Sequence, residues 1–150
     1  MAFKIGDRLP HFSAKDTNGN DFDSKNYIGK QPLVVYFYPK DDTPGCTAQA
    51  CSFRDNYQDF KDLGAEVIGI SSDTVQSHIK FKSKFDLPFI LLSDSNKKLR
   101  KLFGVQNSLF ILPGRETFVI DKNGIILLVF NSMSSEIHIT KALSVLKKAV

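Results

Sequence analysis

Cys46 and Cys51 are the residues of this 150-residue sequence whose type and spacing most favour chemistry, and the chain contains no other cysteine. A run of turn-forming residues, Asp-Asp-Thr-Pro-Gly at positions 41–45, comes directly before the first of them. An ionised thiol is a nucleophile, a redox centre or a metal ligand, whereas a thiol in apolar surroundings behaves as an inert small hydrophobe. The structural position of each cysteine therefore decides between these alternatives.

The surrounding sequence places Cys46 at the start of a helix. Leu33 to Tyr38 is continuously apolar, which predicts a buried strand, and Pro39 ends that strand. Beyond the turn, apolar residues recur at steps of three and four, as in an amphipathic helix, at Ala50, Phe53, Tyr57, Phe60 and Leu63. The first turn of a helix has unpaired N–H groups and the positive end of the helix dipole, and both stabilise an anion. The pattern therefore favours a reactive thiolate at Cys46.

The same residues carry a family resemblance. Pro39, Thr43 and Cys46 match the Pro-x-x-x-Thr-x-x-Cys signature of the peroxiredoxins, which are thiol peroxidases with a thioredoxin-like fold. Cys51, at a C-x-x-x-x-C spacing, makes the chain similar to the peroxiredoxin Q or bacterioferritin-comigratory-protein branch. The resemblance extends from Asp7 to the last helix, so it covers nearly the whole chain.

The resemblance implies a role for each residue of the motif. Cys46 would attack a peroxide oxygen and become a sulfenic acid, and Cys51 would resolve it by forming an intramolecular disulfide. The Thr43 hydroxyl and the backbone N–H groups around Gly45 and Cys46 would bind the peroxide. Pro39 would shape the turn and limit the access of water.

A cation is also needed, because a helix end contributes only about 0.3–1 kcal/mol to the stability of an anion in ordinary settings. Arg115 is the first candidate, since its Arg-x-Thr-Phe context resembles that of the peroxiredoxin catalytic arginine. A guanidinium stays charged and offers several donors, so it can stabilise the thiolate and bind the peroxide together. Arg54, further along the helix, is a weaker candidate.

The alternatives for Cys51 are a buried inert thiol and a metal ligand. Zinc sites pair cysteines at shorter spacings, and none of the histidines neighbours a cysteine in the sequence. We therefore expect no metal and no other cofactor, with His11, His78 and His138 serving as surface or structural residues. The paired carboxylates at positions 41–42 are expected to be turn residues, because Asp favours turns.

The composition is that of a soluble globular protein, which we expect to form a single domain over residues 1–150. Hydrophobic residues make up 42% and charged residues 24% of the sequence, which suits a chain with one core. The net charge is +4, but the lysines are scattered, so no nucleic-acid partner is expected. Neither a membrane span nor a targeting pattern is apparent. We expect a cytoplasmic protein or, alternatively, a mature plastid form whose transit peptide has been removed.

The order of the predicted elements gives the fold class. Turn formers at 16–20 predict an N-terminal hairpin, and Asp-Lys-Asn-Gly at 121–124 predicts a second one near the end. Between them, strands alternate with helices, and the first of these helices is expected to run from near Cys46 to Leu63. This order matches an α/β fold, a thioredoxin-like sandwich with an N-terminal β extension.

We therefore expect a thiol-dependent peroxidase that reduces hydrogen peroxide and organic hydroperoxides. The resemblance implies that thioredoxin or a similar dithiol recycles the disulfide, and we expect a monomer. One alternative is a thioredoxin-like protein disulfide oxidoreductase, although such proteins usually use a C-x-x-C motif. Another is a redox-switched binding or holdase protein, which would consume at most one peroxide per chain.

Overall fold

A seven-stranded mixed sheet runs through the computed structural model, which describes residues 3–105, 107–108, 112–113, 115–132 and 135–149. The strands are β1 (Ser13–Lys15), β2 (Asp21–Asp23), β3 (Leu33–Phe37), β4 (Glu66–Ser71), β5 (Ile90–Ser93), β6 (Asn107–Ser108), β7 (Leu112–Pro113), β8 (Glu116–Ile120) and β9 (Ile126–Asn131). The helices are α1 (Pro44–Asp55), α2 (Tyr57–Asp62), α3 (Val75–Phe85), α4 (Lys98–Phe103) and α5 (Ser135–Ala149), with a 3-10 turn at Ser24–Asn26. Among the described residues, no helix is both long and apolar enough to cross a bilayer.

The sheet order is β2-β1-β5-β4-β3-β8-β9, with β6 and β7 forming a separate two-stranded ribbon. Strands β3, β4 and β5 are parallel, and the helices α1 to α3 lie in the connections between them. The β1–β2 hairpin adds antiparallel strands at one edge, and the β8–β9 hairpin does so at the other. The architecture confirms the predicted α/β sandwich with an N-terminal β extension.

The central strand β3 is buried on both faces, so its side chains divide the core into two parts. Val34 and Tyr36 point to a core that α1 and α5 cover. Val35 and Phe37 point to the opposite core, which α4 and the N-terminal hairpin cover. Because side chains alternate across a strand, a continuous apolar run is what a strand covered on both faces requires.

Two details differ from the sequence prediction. The expected helix from Cys46 to Leu63 is divided into α1 and α2 at Asn56, whose φ and ψ are −105° and 8°. The Asn56 side chain donates to the Ser52 carbonyl at 2.8 Å, which offers that carbonyl a partner outside the regular backbone ladder. The β6–β7 ribbon was not predicted, because strands of two residues are too short to show a hydrophobic period.

A glycine in β4 allows α1 to pack closely on the sheet. A Cβ atom at Gly69 would lie 2.9 Å from both the Tyr36 hydroxyl and the Leu91 side chain, so a larger residue would displace them. Tyr36 lies across this position and stacks on Phe53 of α1, with the ring centroids 4.4 Å apart. This stack fixes the height of α1 above the sheet.

The last helix is attached to β8 through a buried histidine. His138 Nδ1 lies 2.7 Å from the Thr117 hydroxyl, and its Nε2 lies 2.7 Å from the Ser132 carbonyl. A carbonyl can only accept, so Nε2 carries the proton and Nδ1 accepts from Thr117. Burial lowers the pKa of His138, and the positive charge of Arg115 lowers it further, against the opposing effect of the bond to Ser132. The neutral imidazole is therefore the form that the fold requires.

This lowered pKa predicts a pH-dependent loss of stability. Because the unfolded chain has the higher histidine pKa, near 6.5, it binds a proton first as the pH falls. The contribution of His138 is complete above about pH 6.5 and is lost below it. We expect the free energy of unfolding, measured in urea, to fall less from neutral pH to mildly acidic pH in His138→Asn than in the wild type. Equal pH slopes in the two proteins would contradict this account.

Candidate active site

Cys46 lies in the first turn of α1, as the sequence predicted, and its side chain is 1% exposed. Pro44 occupies the start of the helix, where a missing N–H removes no helical hydrogen bond. The Thr47 N–H donates to the Thr43 carbonyl at 2.8 Å and closes the first turn. Cys51 lies on the same helix and is half-buried, and both cysteines are free thiols.

Arg115 reaches Cys46 from a distant part of the sequence. It directly precedes β8, which pairs with β3 so that Glu116 lies opposite Phe37, at the end of β3 where the chain turns into α1. The Arg115 guanidinium is buried, and its Nη2 donates to Cys46 Sγ at 3.5 Å. A guanidinium at this distance presents a charged donor to the sulfur, which is the contact that the sequence analysis required of the cation. The structure thus brings together the two residues that the sequence placed 69 positions apart.

Gln49 is a further member of the site that the sequence analysis did not identify. It is buried, and its Oε1 accepts a hydrogen bond from Arg115 Nη1. The sequence did contain a signal, because a residue three positions after Cys46 lies on the same face of a helix. Gln49 therefore fixes one half of the guanidinium fork while the other half faces the sulfur. We assign it as a positioning residue for Arg115.

Several polar atoms around Cys46 have no hydrogen-bond partner among the described residues. They are Gln49 Nε2, Arg115 Nε and the Tyr36 hydroxyl. Burial raises the pKa of Tyr36 well above its ordinary value, and the negative charge of Cys46 raises it further, so the phenol stays protonated. A buried donor without an acceptor costs free energy. The two donors that belong to the Arg115 contact, Gln49 Nε2 and Arg115 Nε, could therefore bind a small molecule that carries oxygen acceptors, whereas the Tyr36 hydroxyl lies over Gly69 of β4.

Gly45 leaves room for the guanidinium. A Cβ atom at this position would lie 3.0 Å from Arg115 Nη2, which is closer than a carbon and a nitrogen normally approach. Any other residue would push Arg115 away from Cys46. The space that Arg115 needs therefore explains why a glycine stands directly before Cys46.

Thr43 directly precedes the helix that carries Cys46, but its side chain does not cap that helix. Thr43 is the N-cap residue of α1 by its extended backbone, yet its hydroxyl donates to the Lys40 carbonyl at 3.0 Å. With its proton engaged in this way, the Thr43 oxygen is left to accept a hydrogen bond from another group. Pro39 is half-buried and lies two residues after the end of β3.

Arg54, the weaker candidate for the cation, is directed elsewhere. Its Nε donates to Asp55 at 3.0 Å and its Nη1 donates to the Phe85 carbonyl at 2.7 Å. It therefore connects the second half of α1 to the end of α3. The site residues that the structure brings together are Cys46, Gly45, Gln49, Thr43 and Arg115, with Cys51 further along α1.

Comparison with known proteins gives a consistent result over almost the whole chain. A profile of the AhpC/TSA family matches residues 5–129. The chloroplastic peroxiredoxin Q of Sedum lineare is 52% identical over 144 residues, which are 95% of this chain and 77% of that protein. The chloroplastic peroxiredoxin Q of Arabidopsis thaliana is 53% identical over 146 residues, which are 96% of this chain and 67% of that protein.

Solved structures show the same fold. Peroxidoxin BcpB from Mycobacterium tuberculosis superimposes with a TM-score of 0.91 at 36% identity and covers 99% of both chains. The bacterioferritin comigratory protein of Xanthomonas campestris superimposes with a TM-score of 0.83 at 29% identity, over 92% of this chain and 91% of that one. The thioredoxin-like fold expected from the sequence is therefore confirmed.

The contact between Arg115 and Cys46 predicts the effect of removing the cation. Arg115→Ala should slow the oxidation of Cys46 by hydrogen peroxide at least about tenfold, which corresponds to 1.36 kcal/mol of lost transition-state stabilisation. The oxidation rate of Arg115→Lys should lie between those of this variant and the wild type, because an ammonium supplies the charge without the planar fork of donors. The rate is measured by rapid quenching, alkylation and mass spectrometry. Arg54→Ala is the matched control, and a rate for Arg115→Ala within twofold of that control would show that another group supplies the cation.

Proposed function

The chain belongs to the peroxiredoxin Q branch of the AhpC/TSA family and is a thiol peroxidase, and from this membership we propose that Cys46 attacks the peroxide and Cys51 resolves the product. The observation that carries the proposal is the buried contact of 3.5 Å between Arg115 Nη2 and Cys46 Sγ at the start of α1. Membership in a peroxidase family sets aside the disulfide oxidoreductase and the holdase that the sequence alone left open.

In the first step, the Cys46 thiolate gives an electron pair to one oxygen of the peroxide. The S–O bond forms, the O–O bond breaks, and the departing hydroxide or alkoxide takes a proton and leaves as water or alcohol, while Cys46 becomes a sulfenic acid. Negative charge moves from the sulfur towards the departing oxygen. The donors of Arg115 and of Gln49, which binds it, lie where they can stabilise this charge.

We propose that both hydrogen peroxide and organic hydroperoxides are substrates. The Xanthomonas campestris relative is described as reducing alkyl peroxides. In this chain, Cys46 belongs to an apolar core cluster together with Tyr36 and Ala50, so an alkyl group would meet apolar side chains near the sulfur. The polar donors contact only the peroxide oxygens in either case.

In the second step, the Cys51 thiol attacks the Cys46 sulfenic acid, so that an S–S bond forms and water leaves. Both residues lie on the continuous helix α1, five positions apart. On a regular helix this spacing gives ~7.5 Å of rise and about 140° of rotation, which separates the Cα atoms by ~8.7 Å. A disulfide spans at most about 7 Å without movement of the backbone. The first turns of α1 must therefore unwind before the disulfide can form.

The packing of α1 favours unwinding that begins in its N-terminal half. Phe53 is held by the stack on Tyr36, and Arg54 is held by its bond to the Phe85 carbonyl. The N-terminal half depends instead on the contacts of Cys46 and Gln49 with Arg115. Oxidation of the sulfur weakens the attraction to Arg115, since a neutral sulfenic acid replaces the thiolate. The chemistry of the first step therefore favours the opening that the second step needs.

We propose thioredoxin or a similar dithiol protein as the reductant that returns the disulfide to two thiols. We also propose that the enzyme acts as a monomer, because both cysteines belong to one helix of one chain. We propose that the protein acts in the cytoplasm or in a plastid. The chloroplastic relatives favour the plastid.

The assignment predicts different defects for the two cysteine variants. Cys46→Ser should show no peroxide turnover with thioredoxin supplied, because no nucleophile remains. Cys51→Ser should still reduce one peroxide per chain at Cys46, but it should form no intramolecular disulfide. Peroxide consumption measures the first effect, and intact-protein mass spectrometry measures the second. Multiple turnovers in a folded Cys46→Ser protein would refute the assignment.

The helix geometry predicts a change in backbone protection on oxidation. Hydrogen exchange of residues 43–56 should be much faster in the disulfide form than in the dithiol form, because backbone hydrogen bonds in α1 are broken. The fully buried strand β4 serves as an internal control and should exchange equally slowly in both forms. Equal protection of residues 43–56 in the two forms, with the disulfide verified by mass, would exclude local unwinding.

A further inference from the structure

A buried acid–base pair lies immediately before the active-site helix. Asp41 was expected to be an ordinary turn residue, but its side chain is 3% exposed and its Oδ2 lies 2.7 Å from Nδ1 of His78, which is 1% exposed. The same carboxylate accepts from the Tyr38 hydroxyl at 2.6 Å and from the Ser77 hydroxyl at 2.8 Å. None of these residues belongs to the site described above.

The hydrogen bonds of this pair define where its protons are. His78 Nε2 lies 2.9 Å from the Leu92 carbonyl, which can only accept, so Nε2 carries a proton. Nδ1 faces a carboxylate oxygen, and two lone pairs at this distance would repel each other. A second proton therefore lies between His78 Nδ1 and Asp41 Oδ2. The pair is an imidazolium–carboxylate ion pair, buried and hydrogen-bonded on every side.

A metal ion does not explain this arrangement better. Asp73 lies close enough to join Asp41 and His78 as a third ligand. However, two atoms bound to one metal at about 2.1 Å stand roughly 3 Å or more apart, and the observed 2.7 Å is a hydrogen-bond distance. In addition, the Asp73 carboxylate already accepts from the Asp41 N–H at 2.8 Å and from the Ser71 hydroxyl at 2.6 Å.

The pair fixes the turn from which α1 begins. The Asp41 side chain is bound to β3 through Tyr38 and to α3 through His78, while its backbone N–H is bound to Asp73. Asp42 follows in the left-handed conformation, with φ of 59°, and its carboxylate pairs with Lys84 of α3 at 2.9 Å on the surface. The chain then enters the helix that carries Cys46.

The position of this turn matters because Cys46 and Arg115 come from different parts of the fold. Arg115 is fixed by β8, whereas Cys46 moves with the turn at 41–43 and the start of α1. A shift of the turn would therefore change the contact of 3.5 Å between them. A misplacement of about 1 Å of a reacting group can cost on the order of a hundredfold in rate.

We propose that His78 is a positioning residue for the peroxide reaction: its protonated pair with Asp41 holds the turn that sets Cys46 against Arg115. This inference rests on the proposed role of Cys46. Without the His78 partner, the buried Asp41 carboxylate would be left unpaired, which is strongly destabilising. The turn would then move and the oxidation of Cys46 would slow.

The groups that face the pair from each neighbouring element are few. Tyr38 faces it from the position directly after β3, and Asp73 faces it from the segment between β4 and α3. Burial raises the pKa of Tyr38 well above its ordinary value, and its interactions with Tyr36 and Asp41 raise it further, so this phenol stays neutral and donates to Asp41. Arg100 lies further out, with its Nη2 3.5 Å from the Tyr38 carbonyl.

The test uses variants that separate the charge of the pair from its hydrogen bonds. His78→Leu removes the partner and leaves a buried carboxylate, so the rate constant for oxidation of Cys46 by hydrogen peroxide should fall by about tenfold to a hundredfold at neutral pH. Asp41→Asn keeps the shape of the side chain and its three hydrogen bonds. The amide can donate to His78 Nδ1 and to the Ser77 hydroxyl, and it can accept from the Tyr38 hydroxyl. Its loss should be smaller than that of His78→Leu, because this conservative variant keeps the hydrogen bonds that hold the turn. His11→Asn, at the exposed pair with Asp23, is the matched control.

Each outcome supports or overturns the inference. Turnover in Cys46→Ser would reject the proposed function itself. If Cys46→Ser is inactive but His78→Leu matches His11→Asn within twofold at every pH, the positioning role is wrong while the proposed function stands. A loss in Asp41→Asn as large as in His78→Leu would also overturn the positioning role, since the first variant keeps the hydrogen bonds of the turn and the second breaks them. If His78→Leu does not fold by circular dichroism, Asp41→Leu, which breaks the same hydrogen bonds, takes its place in this comparison.

Discussion

The buried contact between the Arg115 guanidinium and the Cys46 sulfur is the interaction on which the rest of the site depends. A buried cation needs partners, and here the sulfur and the Gln49 carbonyl oxygen share its fork. Gly45 gives the space for it. The sheet topology brings it to the sulfur, because β8 is the antiparallel neighbour of β3 and begins where β3 ends. The motif around Cys46 can be understood as the set of residues that this contact requires.

Under the proposed mechanism, the helix α1 serves two states with opposite demands. In the reduced state its first turn must be formed, because the thiolate uses the helix end and Arg115 together. In the disulfide state the same turn must be open. The two halves of the helix are held by different contacts, which suits these two states. Aromatic stacking holds the second half through Phe53, whereas the contact of Cys46 with Arg115, which depends on the charge of the sulfur, helps to hold the first half. A more uniformly anchored helix would bind the peroxide equally well but would delay the disulfide.

Much of this arrangement was predictable from the sequence, because local patterns determine it. The apolar run of β3, the turn and the helical period placed Cys46 correctly, and the resemblance of the Arg-x-Thr-Phe segment to the family pattern pointed to Arg115. Gln49 and the pair of Asp41 with His78 were missed, since a buried polar group is recognised only when its distant partner is known. The break at Asn56 was missed for a different reason, because the apolar spacing continues across it.

The presence of both thiols on one helix also determines the kinetic order of the resolving step. Under the proposed mechanism, disulfide formation is unimolecular, so each sulfenic acid molecule reacts at a rate that does not depend on how much enzyme the cell contains. The rate of a second oxidation, from the sulfenic acid to a sulfinic acid, is by contrast proportional to the peroxide concentration. The two rates become equal at one peroxide concentration, which the opening rate of α1 determines. The stability of the first turn of this helix thus sets the oxidant level above which the enzyme is inactivated faster than it turns over.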